Sequence, residues 1–381
     1  MGSGHAIIAV IFIQLCKRDA FRVSAVPGFA YIANDWNETT FTIHRNDLQE
    51  LFFLYGAPRL RYVQLQQNPT VRQLYIEHCS LTAVPRTIRN LPQLSRLIIT
   101  RCQLRHLNLN DFVPIPALRA LDLSGNKIVS IVELSTPDGT LTIQSLYLAS
   151  NLLHQLDVSV FNGLIELQCL VLDQNRIENI QSRLTLPTLE EFSIQSNRLT
   201  ALNVTGWCLP ALKHMFCDHN QLTSAPAGWP AIWQIETLDL SYNRLRSFCM
   251  DDLYLTQLRT LNLAANELTN VTTVQTRLHI PLERFQAARN QLHALDISRW
   301  SMPNLWQFNV DHNRLTVLDD VFYRFPNVVG VELRYNPWSC EWLRRVHPGD
   351  LRRKSHGCLT TNHTCPKERL AVEDSIWICC W

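Results

Sequence analysis

Short runs of alternating apolar and polar residues recur along most of the chain. The clearest spans residues 118–128, where Leu118, Leu121 and Leu123 precede Asn126 and Ile128. Alternation with a period of two predicts a short strand with one buried face. A single strand of this kind cannot bury its apolar side alone, so the pattern predicts that successive turns stack on one another.

The same frame returns at intervals of 22 to 25 residues. Its polar position is filled, in chain order, by Cys79, Cys102, Asn126, Asn151, Asn175, Asn197, Asn220, Asn243, Asn266, Asn290, Asn313 and Asn336. Twelve units at so regular a spacing predict a solenoid with a parallel sheet on one face. The asparagines should hydrogen-bond backbone groups of neighbouring turns, which a thiol does less well. Prolines before the next strand favour short 3₁₀ or irregular segments on the other side.

The unit matches L-x-x-L-x-L-x-x-N-x-L and resembles the leucine-rich-repeat family over about residues 71–345. The resemblance implies an α/β-type repeat solenoid, a horseshoe with a parallel β-sheet on its concave face and an irregular or 3₁₀ convex side. We predict four segments: a signal peptide (1–25), an N-terminal cap with one or more divergent turns (26–70), about twelve repeats (71–339) and a cysteine-rich C-terminal cap (340–381). Residues 51–69 fit no frame.

The frame identifies the side chains that should project from the concave sheet. Twelve strands would form an inner arc of roughly 55 Å, a surface suited to a protein or a large glycan. Aromatic and charged residues at these positions are the binding candidates: Tyr75, Tyr147, Asp173, Glu191, Phe216, Asp218, Asp239, Arg284, Arg289 and Arg334. An ordinary solvated sheet face is the alternative interpretation, and the sequence leaves open whether the concave or the convex face binds.

The N-terminus carries an apolar run from Ala6 to Leu15. The run has about half of the ~20 residues that a membrane-spanning helix requires. Its length is typical of a signal peptide cleaved after Ala25, and a hydrophobic N-terminal strand or helix is the alternative. No other stretch is long and apolar enough to span a bilayer. Secretion agrees with four glycosylation sequons, at Asn37, Asn203, Asn270 and Asn362.

Charge and motifs argue against several functions. Removing Lys17, Arg18, Arg22 and Asp19 with the leader leaves 32 basic and 32 acidic residues. The chain therefore lacks the positive surplus that nucleic-acid binding needs. It contains no nucleophile-elbow motif, zinc-protease motif or Gly-rich phosphate loop. We expect no enzymatic activity and no cofactor or metal.

The cysteines predict a disulfide-bonded protein. The chain has 12, and removing Cys16 with the leader leaves an odd number. Five lie in the C-terminal cap: Cys340, Cys358, Cys365, Cys379 and Cys380. Two disulfides within the cap would leave one thiol available to a second chain; alternatively, the odd thiol is a buried repeat cysteine such as Cys217. A bond between Cys79 and Cys102, at matching positions of adjacent turns, is geometrically conceivable.

The C-terminal cysteines also carry a more specific resemblance. The last repeat reads Asn336-Pro337-Trp338-Ser339-Cys340, and two spaced cysteines and the vicinal pair Cys379-Cys380 follow. This pattern resembles the leucine-rich-repeat immune proteins of mosquitoes, in the secreted subgroup without a coiled coil. The resemblance implies a haemolymph protein that binds a complement-like thioester protein, a sister repeat protein or a microbial surface, with a disulfide-linked dimer formed through a cap cysteine. An extracellular adhesion or developmental binding module without an immune role is the alternative.

Overall fold

The structure is a computed structural model that describes residues 29–33, 38–135, 141–228, 234–346, 368–373 and 376–380. The predicted leader, the sequons at Asn37 and Asn362, and the cap cysteines Cys358 and Cys365 lie outside these residues. The chain divides into two compact units, Met1–Leu152 and Leu153–Trp381.

The first unit is built on one parallel sheet whose strands follow chain order and pair in register. These strands are Phe29–Ala33, Leu51–Tyr55, Gln73–Glu77, Arg96–Thr100, Ala120–Asp122 and Ser145–Tyr147. Two smaller parallel pairs are Thr40–Ile43 with Tyr62–Leu65 and His106–Asn108 with Ser130–Val132. Short 3₁₀ helices span Arg86–Asn90 and Leu109–Phe112.

The second unit repeats this plan with eight main strands, again parallel and in chain order. They are Cys169–Val171, Glu191–Ser193, His214–Phe216, Thr237–Asp239, Thr260–Asn262, Arg284–Gln286, Gln307–Asn309 and Gly330–Glu332. The smaller pairs are Gln155–Asp157 with Asn179–Gln181, Ser247–Cys249 with Asn270–Thr272, and Leu278–His279 with Trp300–Ser301. Short helices span Val158–Phe161, Met250–Leu253, Val321–Arg324 and Cys340–Arg345, and an antiparallel hairpin joins Glu368–Glu373 to Ile376–Cys380.

Both units are therefore parallel β-solenoids with little helix, and the predicted fold class is confirmed. The alternation works as the sequence predicts: Leu121 is buried, whereas Ala120 and Asp122 on either side are half-buried. Aromatic side chains such as Phe161, Trp207 and Trp300 fill the core below the sheet. In a later turn Phe325 is fully buried, whereas Phe322 is only half-buried.

Residues 51–69, which fitted no frame, form a regular turn of the first unit. The strand Leu51–Tyr55 pairs with Gln73–Glu77 over five residues, with Phe52 and Leu54 buried. The polar slot of this turn holds Ala57, which is buried and lacks the side-chain amide of asparagine. The sequence hides the turn because the whole strand is apolar and its asparagine is missing.

Buried asparagines bind each turn to its neighbour. The Asn220 Nδ2 donates to the carbonyl oxygens of Ile194 (2.9 Å) and Cys217 (3.1 Å), while its Oδ1 accepts the N–H of Leu199 at 3.0 Å. The ten asparagines of the frame are only 4 to 8% exposed. Each amide thus satisfies backbone groups that would otherwise be buried without partners.

A left-handed residue stands immediately before each polar slot of the frame. These positions have φ between 52° and 70°: His78, Arg101, Gly125, Ser150, Gln174, Ser196, His219, Tyr242, Ala265, Arg289, His312 and Tyr335. A left-handed backbone costs a non-glycine residue about 1–2 kcal/mol. A hydrogen bond to the next turn offsets this cost, as when the N–H of His219 donates to the Ser241 carbonyl at 3.0 Å.

Two of the turns without a frame asparagine are joined covalently. Cys79 and Cys102 form a disulfide, and the N–H of Cys79 also points at the Cys102 Sγ at 3.2 Å. A thiol should bond the backbone less well than an amide, yet these turns are regular: the strands Gln73–Glu77 and Arg96–Thr100 pair over five residues.

The C-terminal end is sealed by two indoles and a disulfide. Trp338 and Trp342 stack with ring centroids 4.4 Å apart, and their N–H groups donate to Leu333 (2.8 Å) and Leu318 (3.0 Å). Cys340, at the start of the helix Cys340–Arg345, is bonded to Cys380. The cysteine-stabilised cap is therefore present.

We predict that Asn220→Ala lowers the free energy of unfolding by about 2–4 kcal/mol, because several buried backbone groups lose their partner. Urea unfolding followed by circular dichroism measures the loss. Asn179→Ala, at an exposed strand position, is the matched control and should change stability by less than about 0.5 kcal/mol. Equal losses in the two variants would contradict the role of the buried amide.

Replacing both Cys79 and Cys102 by serine should cost about 3 kcal/mol, since the disulfide closes a loop of 23 residues. Thermal unfolding measures the effect. Cys208→Ser is the control, because that thiol is exposed and not disulfide-bonded. A double variant as stable as the wild type would show that the bond adds nothing to the solenoid.

Candidate functional site

The predicted binding residues lie on the strand face opposite the buried leucines. In the first unit these are Tyr75 and Tyr147, both half-buried. In the second unit, the half-buried candidates are Asp173, Glu191, Phe216, Asp218, Asp239 and Arg334, and the exposed ones are Arg284 and Arg289. The structure thus places all ten on main strands or directly after them, on the side that faces solvent.

Carboxylates dominate this face in the early turns of the second unit. Asp173 accepts hydrogen bonds from the Ser193 hydroxyl (2.7 Å) and the Gln195 N–H (2.9 Å). Burial raises the pKa of Asp173; these two hydrogen bonds oppose the rise, and the nearby charges of Asp218 and Glu191 add to it. The carboxylates therefore lie close enough to repel one another.

No lysine or arginine stands on this face between strands Cys169–Val171 and Thr260–Asn262, as far as the structure describes these turns. Two cations of the same turns, Lys213 and Arg259, lie beside the strands and are paired. Lys213 Nζ is 3.0 Å from the Glu190 carboxylate, and Arg259 contacts Glu283 at 2.9 Å. The acidic side chains of the face are therefore not neutralised by these cations.

Two pairs of rings stand among these acids. His214 and Phe216 project from one strand and stack with centroids 6.4 Å apart. His219 and Tyr242, which both have a left-handed backbone and precede a polar slot, stack with ring centroids 4.2 Å apart and nearly parallel planes. Tyr242 is 50% exposed, so one aromatic surface is open to a ligand.

The arginines of the last turns differ in whether their charge is paired with a carboxylate of the chain. Arg334 contacts Asp311 (2.9 Å) and Glu332 (3.2 Å). Burial works against the charge of Arg334, but these two carboxylates outweigh it and raise the pKa of the guanidinium. Arg284 lies over the ring of Trp306 at 4.9 Å. Arg289 is exposed and forms no ion pair with any residue that the structure describes.

Sequence reasoning missed an aromatic patch on the first unit. Phe53 lies 5.5 Å from Tyr75 and 6.3 Å from Tyr55, whose ring meets His78 edge-on at 5.2 Å. All four side chains are half-buried. The signal was present in Leu51–Tyr55, but a run of five apolar residues shows no alternation from which a facing side could be read.

The described residues contain no arrangement typical of catalysis. No group of three histidines, cysteines or acids within them is placed to hold a metal ion. A shallow depression of about 380 Å³ is lined by Glu178, Asn179, Arg198, Thr200 and Gln221, without a nucleophile beside a base. In the same part of the chain, no helix has the length and apolar character needed to cross a membrane.

Residues 69–128 match the leucine-rich-repeat family model, and they carry three main strands and the Cys79–Cys102 bond. Over these residues the chain is similar to leucine-rich-repeat proteins. It is 27% identical to human Podocan-like protein 1 over 275 residues, 68% of this chain and 52% of that protein. It is 26% identical to Coturnix japonica lumican over 51% of this chain and 58% of lumican, and 32% identical to mouse Tsukushi over 42% and 47%. The chain thus spans about half the length of these relatives.

Two solved structures share the fold of this chain over most of its length. One is the LRIM1/APL1C complex, at 19% identity and a TM-score of 0.64, covering 92% of this chain and 69% of the other. The second is the APL1 leucine-rich-repeat domain, at 18% identity and a TM-score of 0.63, covering 92% and 97%. At these identities the likeness establishes the fold alone.

We predict that Arg334→Ala destabilises the protein by about 3 kcal/mol, because Asp311, only 4% exposed, would lose the cation that compensates its charge. Chemical unfolding in low salt measures this. Arg289→Ala, which removes an exposed and unpaired arginine, should change stability by less than about 0.5 kcal/mol. Similar effects of the two changes would contradict the assigned ion pair.

Proposed function

We propose that this protein is a secreted leucine-rich-repeat protein of innate immunity that binds another protein through the strand face of its repeats. The observation that carries the proposal is the strand face of the second unit, where uncompensated carboxylates surround exposed rings. Aromatic groups and complementary charge are what protein interfaces use for affinity and specificity.

The sequons favour this face over the opposite one. Asn203 and Asn270 are exposed and lie away from the main strands, Asn270 within a smaller strand pair and Asn203 in an isolated bridge to Ala227. Glycans attached there would cover the convex side of the second unit and leave its main strand face accessible.

An oxidising compartment is supported by the disulfides. Cys79–Cys102 and Cys340–Cys380 are structural bonds of a kind that persists in secreted proteins and is rare in the cytosol. Together with the signal-peptide pattern of residues 1–25, they favour an extracellular protein, in haemolymph if the resemblance to the mosquito family holds.

A covalent dimer is part of the proposal. The Cys340–Cys380 bond uses two of the five cap cysteines, and Cys358, Cys365 and Cys379 remain. Three cysteines cannot all pair with one another, and we propose that the remaining one bonds to a second chain. The partner would be a sister repeat protein or a complement-like thioester protein, in agreement with the mosquito resemblance; a microbial surface is the other ligand we consider.

A second candidate is an extracellular adhesion or developmental module. The sequence likeness to lumican, Podocan-like protein 1 and Tsukushi favours it. Expression after microbial challenge separates the two: induction supports the immune role, whereas a tissue-patterned distribution without induction supports adhesion.

We expect the full chain, expressed in insect cells, to be recovered from the medium as a glycoprotein that forms a disulfide-linked dimer. On non-reducing gels it should migrate at twice its reduced mass, and Asn203→Gln and Asn270→Gln should each remove one glycan. Serine variants of Cys358, Cys365 and Cys379 identify the linking thiol. A monomer under all conditions would exclude the covalent dimer, and retention in the cell without glycan would exclude secretion.

A further inference from the structure

The second unit contains the same constellation of residues twice, four turns apart. Asp218, His219, Asp239, Ser241 and Tyr242 occupy the same turn positions as Asp311, His312, Glu332, Arg334 and Tyr335, always 93 residues earlier. We call the first set the Asp218 site and the second the Asp311 site. In both, an acid and a histidine end one strand, and an acid and a tyrosine belong to the next turn.

In the Asp311 site, an arginine of the chain itself completes the arrangement. The Arg334 Nε donates to the Asp311 carboxylate at 2.9 Å, and its Nη2 donates to Glu332 at 3.2 Å. The backbone N–H of Arg334 donates to the other Asp311 oxygen at 2.6 Å. The rings of His312 and Tyr335, 4.0 Å apart, stand beside this ion pair.

In the Asp218 site, serine stands where the other site has arginine. Ser241 donates its hydroxyl to Asp239 at 2.6 Å and forms no hydrogen bond to Asp218. The Asp218 Oδ2 lies 2.8 Å from the His219 Nδ1, but its Oδ1 is buried and accepts no hydrogen bond from any residue that the structure describes. A buried carboxylate oxygen without a hydrogen-bond donor destabilises the protein. In the Asp311 site, the guanidinium of an arginine supplies such donors to the corresponding carboxylate.

The surroundings favour a planar cation in particular. Tyr242 and His219 stack beside the site, and Phe216 projects from the strand that Asp218 follows. A guanidinium can contact two carboxylates through its fork and stack on a ring with its face, whereas an ammonium contacts them as a point charge. The Asp218 side chain remains 13% exposed, so the site is open at one side.

We propose that the Asp218 site binds an arginine side chain of a partner protein, between Asp218 and Asp239, as Arg334 lies between Asp311 and Glu332. The inference rests on the proposed function, in which the strand face binds protein, and names the chemistry of the partner. At the Asp218 site the partner supplies the cation, whereas at the Asp311 site the chain supplies its own.

Ser241→Arg tests the site without any partner. An arginine at this position should pair with Asp218 and Asp239 and raise the midpoint of thermal unfolding by about 2–4 °C. Ala264→Arg is the matched control, because it has the same position one turn later, where Ser241 and Asn262 replace the two acids. A Ser241→Arg protein no more stable than the control would overturn the proposal.

A peptide titration tests binding from outside. The probe is a capped pentapeptide, Gly-Gly-Arg-Gly-Gly, and its counterpart has citrulline, which keeps the shape of arginine and lacks the charge. Nuclear magnetic resonance of the His219 ring in the full chain reports binding. We expect a saturable shift with the arginine peptide, at least tenfold weaker binding of the citrulline peptide, and loss of the shift in Ser241→Arg and Asp218→Asn. Equal binding of both peptides, or no shift at all, would overturn the proposal.

Failure of the site and failure of the proposed function have different signatures. If a protein partner copurifies equally with wild type and Ser241→Arg, the strand face binds protein without this arginine, and only the site is wrong. If the arginine peptide binds as expected while the secreted protein copurifies with no protein partner, the site stands and the proposed function fails.

Discussion

The structure depends on one requirement: every turn must find hydrogen-bond partners for backbone groups that its neighbours bury. Strand pairing satisfies the groups within the sheet, but the chain leaves each strand through a turn whose carbonyls and N–H groups point inward. A buried amide such as that of Asn220 satisfies three of them at once. Because the partners belong to two successive turns, each asparagine links the stability of a turn to that of the preceding one.

Where the amide is missing, other chemistry takes over. Cys79 and Cys102 occupy the slot in adjacent turns and bond to each other. Ala57 occupies it in the turn before and is simply buried. At the opposite end of the chain, two indole N–H groups donate to the carbonyls of Leu333 and Leu318. The side-chain amide, the disulfide and the indole are thus three groups that join the backbone of one turn to that of its neighbour.

Much of the fold could be predicted from the sequence because stacking requires a period, and a period is visible in a single chain. Burial of Leu121 between two solvent-facing residues follows from alternation alone. The turn at Leu51–Tyr55 could not be predicted, since a strand that is apolar on both faces carries no alternation. The same alternation predicts that the candidate side chains lie on the strand face opposite the buried leucines. The ion pairs of these side chains could not be predicted from the sequence. Nothing in the spacing indicates that Arg334 contacts carboxylates of the chain while Arg289 does not.

At the left-handed positions before the polar slots, the backbone conformation does not depend on which side chain is present. At these positions the conformation is fixed by a hydrogen bond to the following turn, so a histidine, a tyrosine, an alanine and an arginine all adopt nearly the same φ. Substitution there alters the surface without disturbing the path of the chain. Each turn of such a protein therefore has one position at which a new side chain can change ligand specificity while the backbone stays the same.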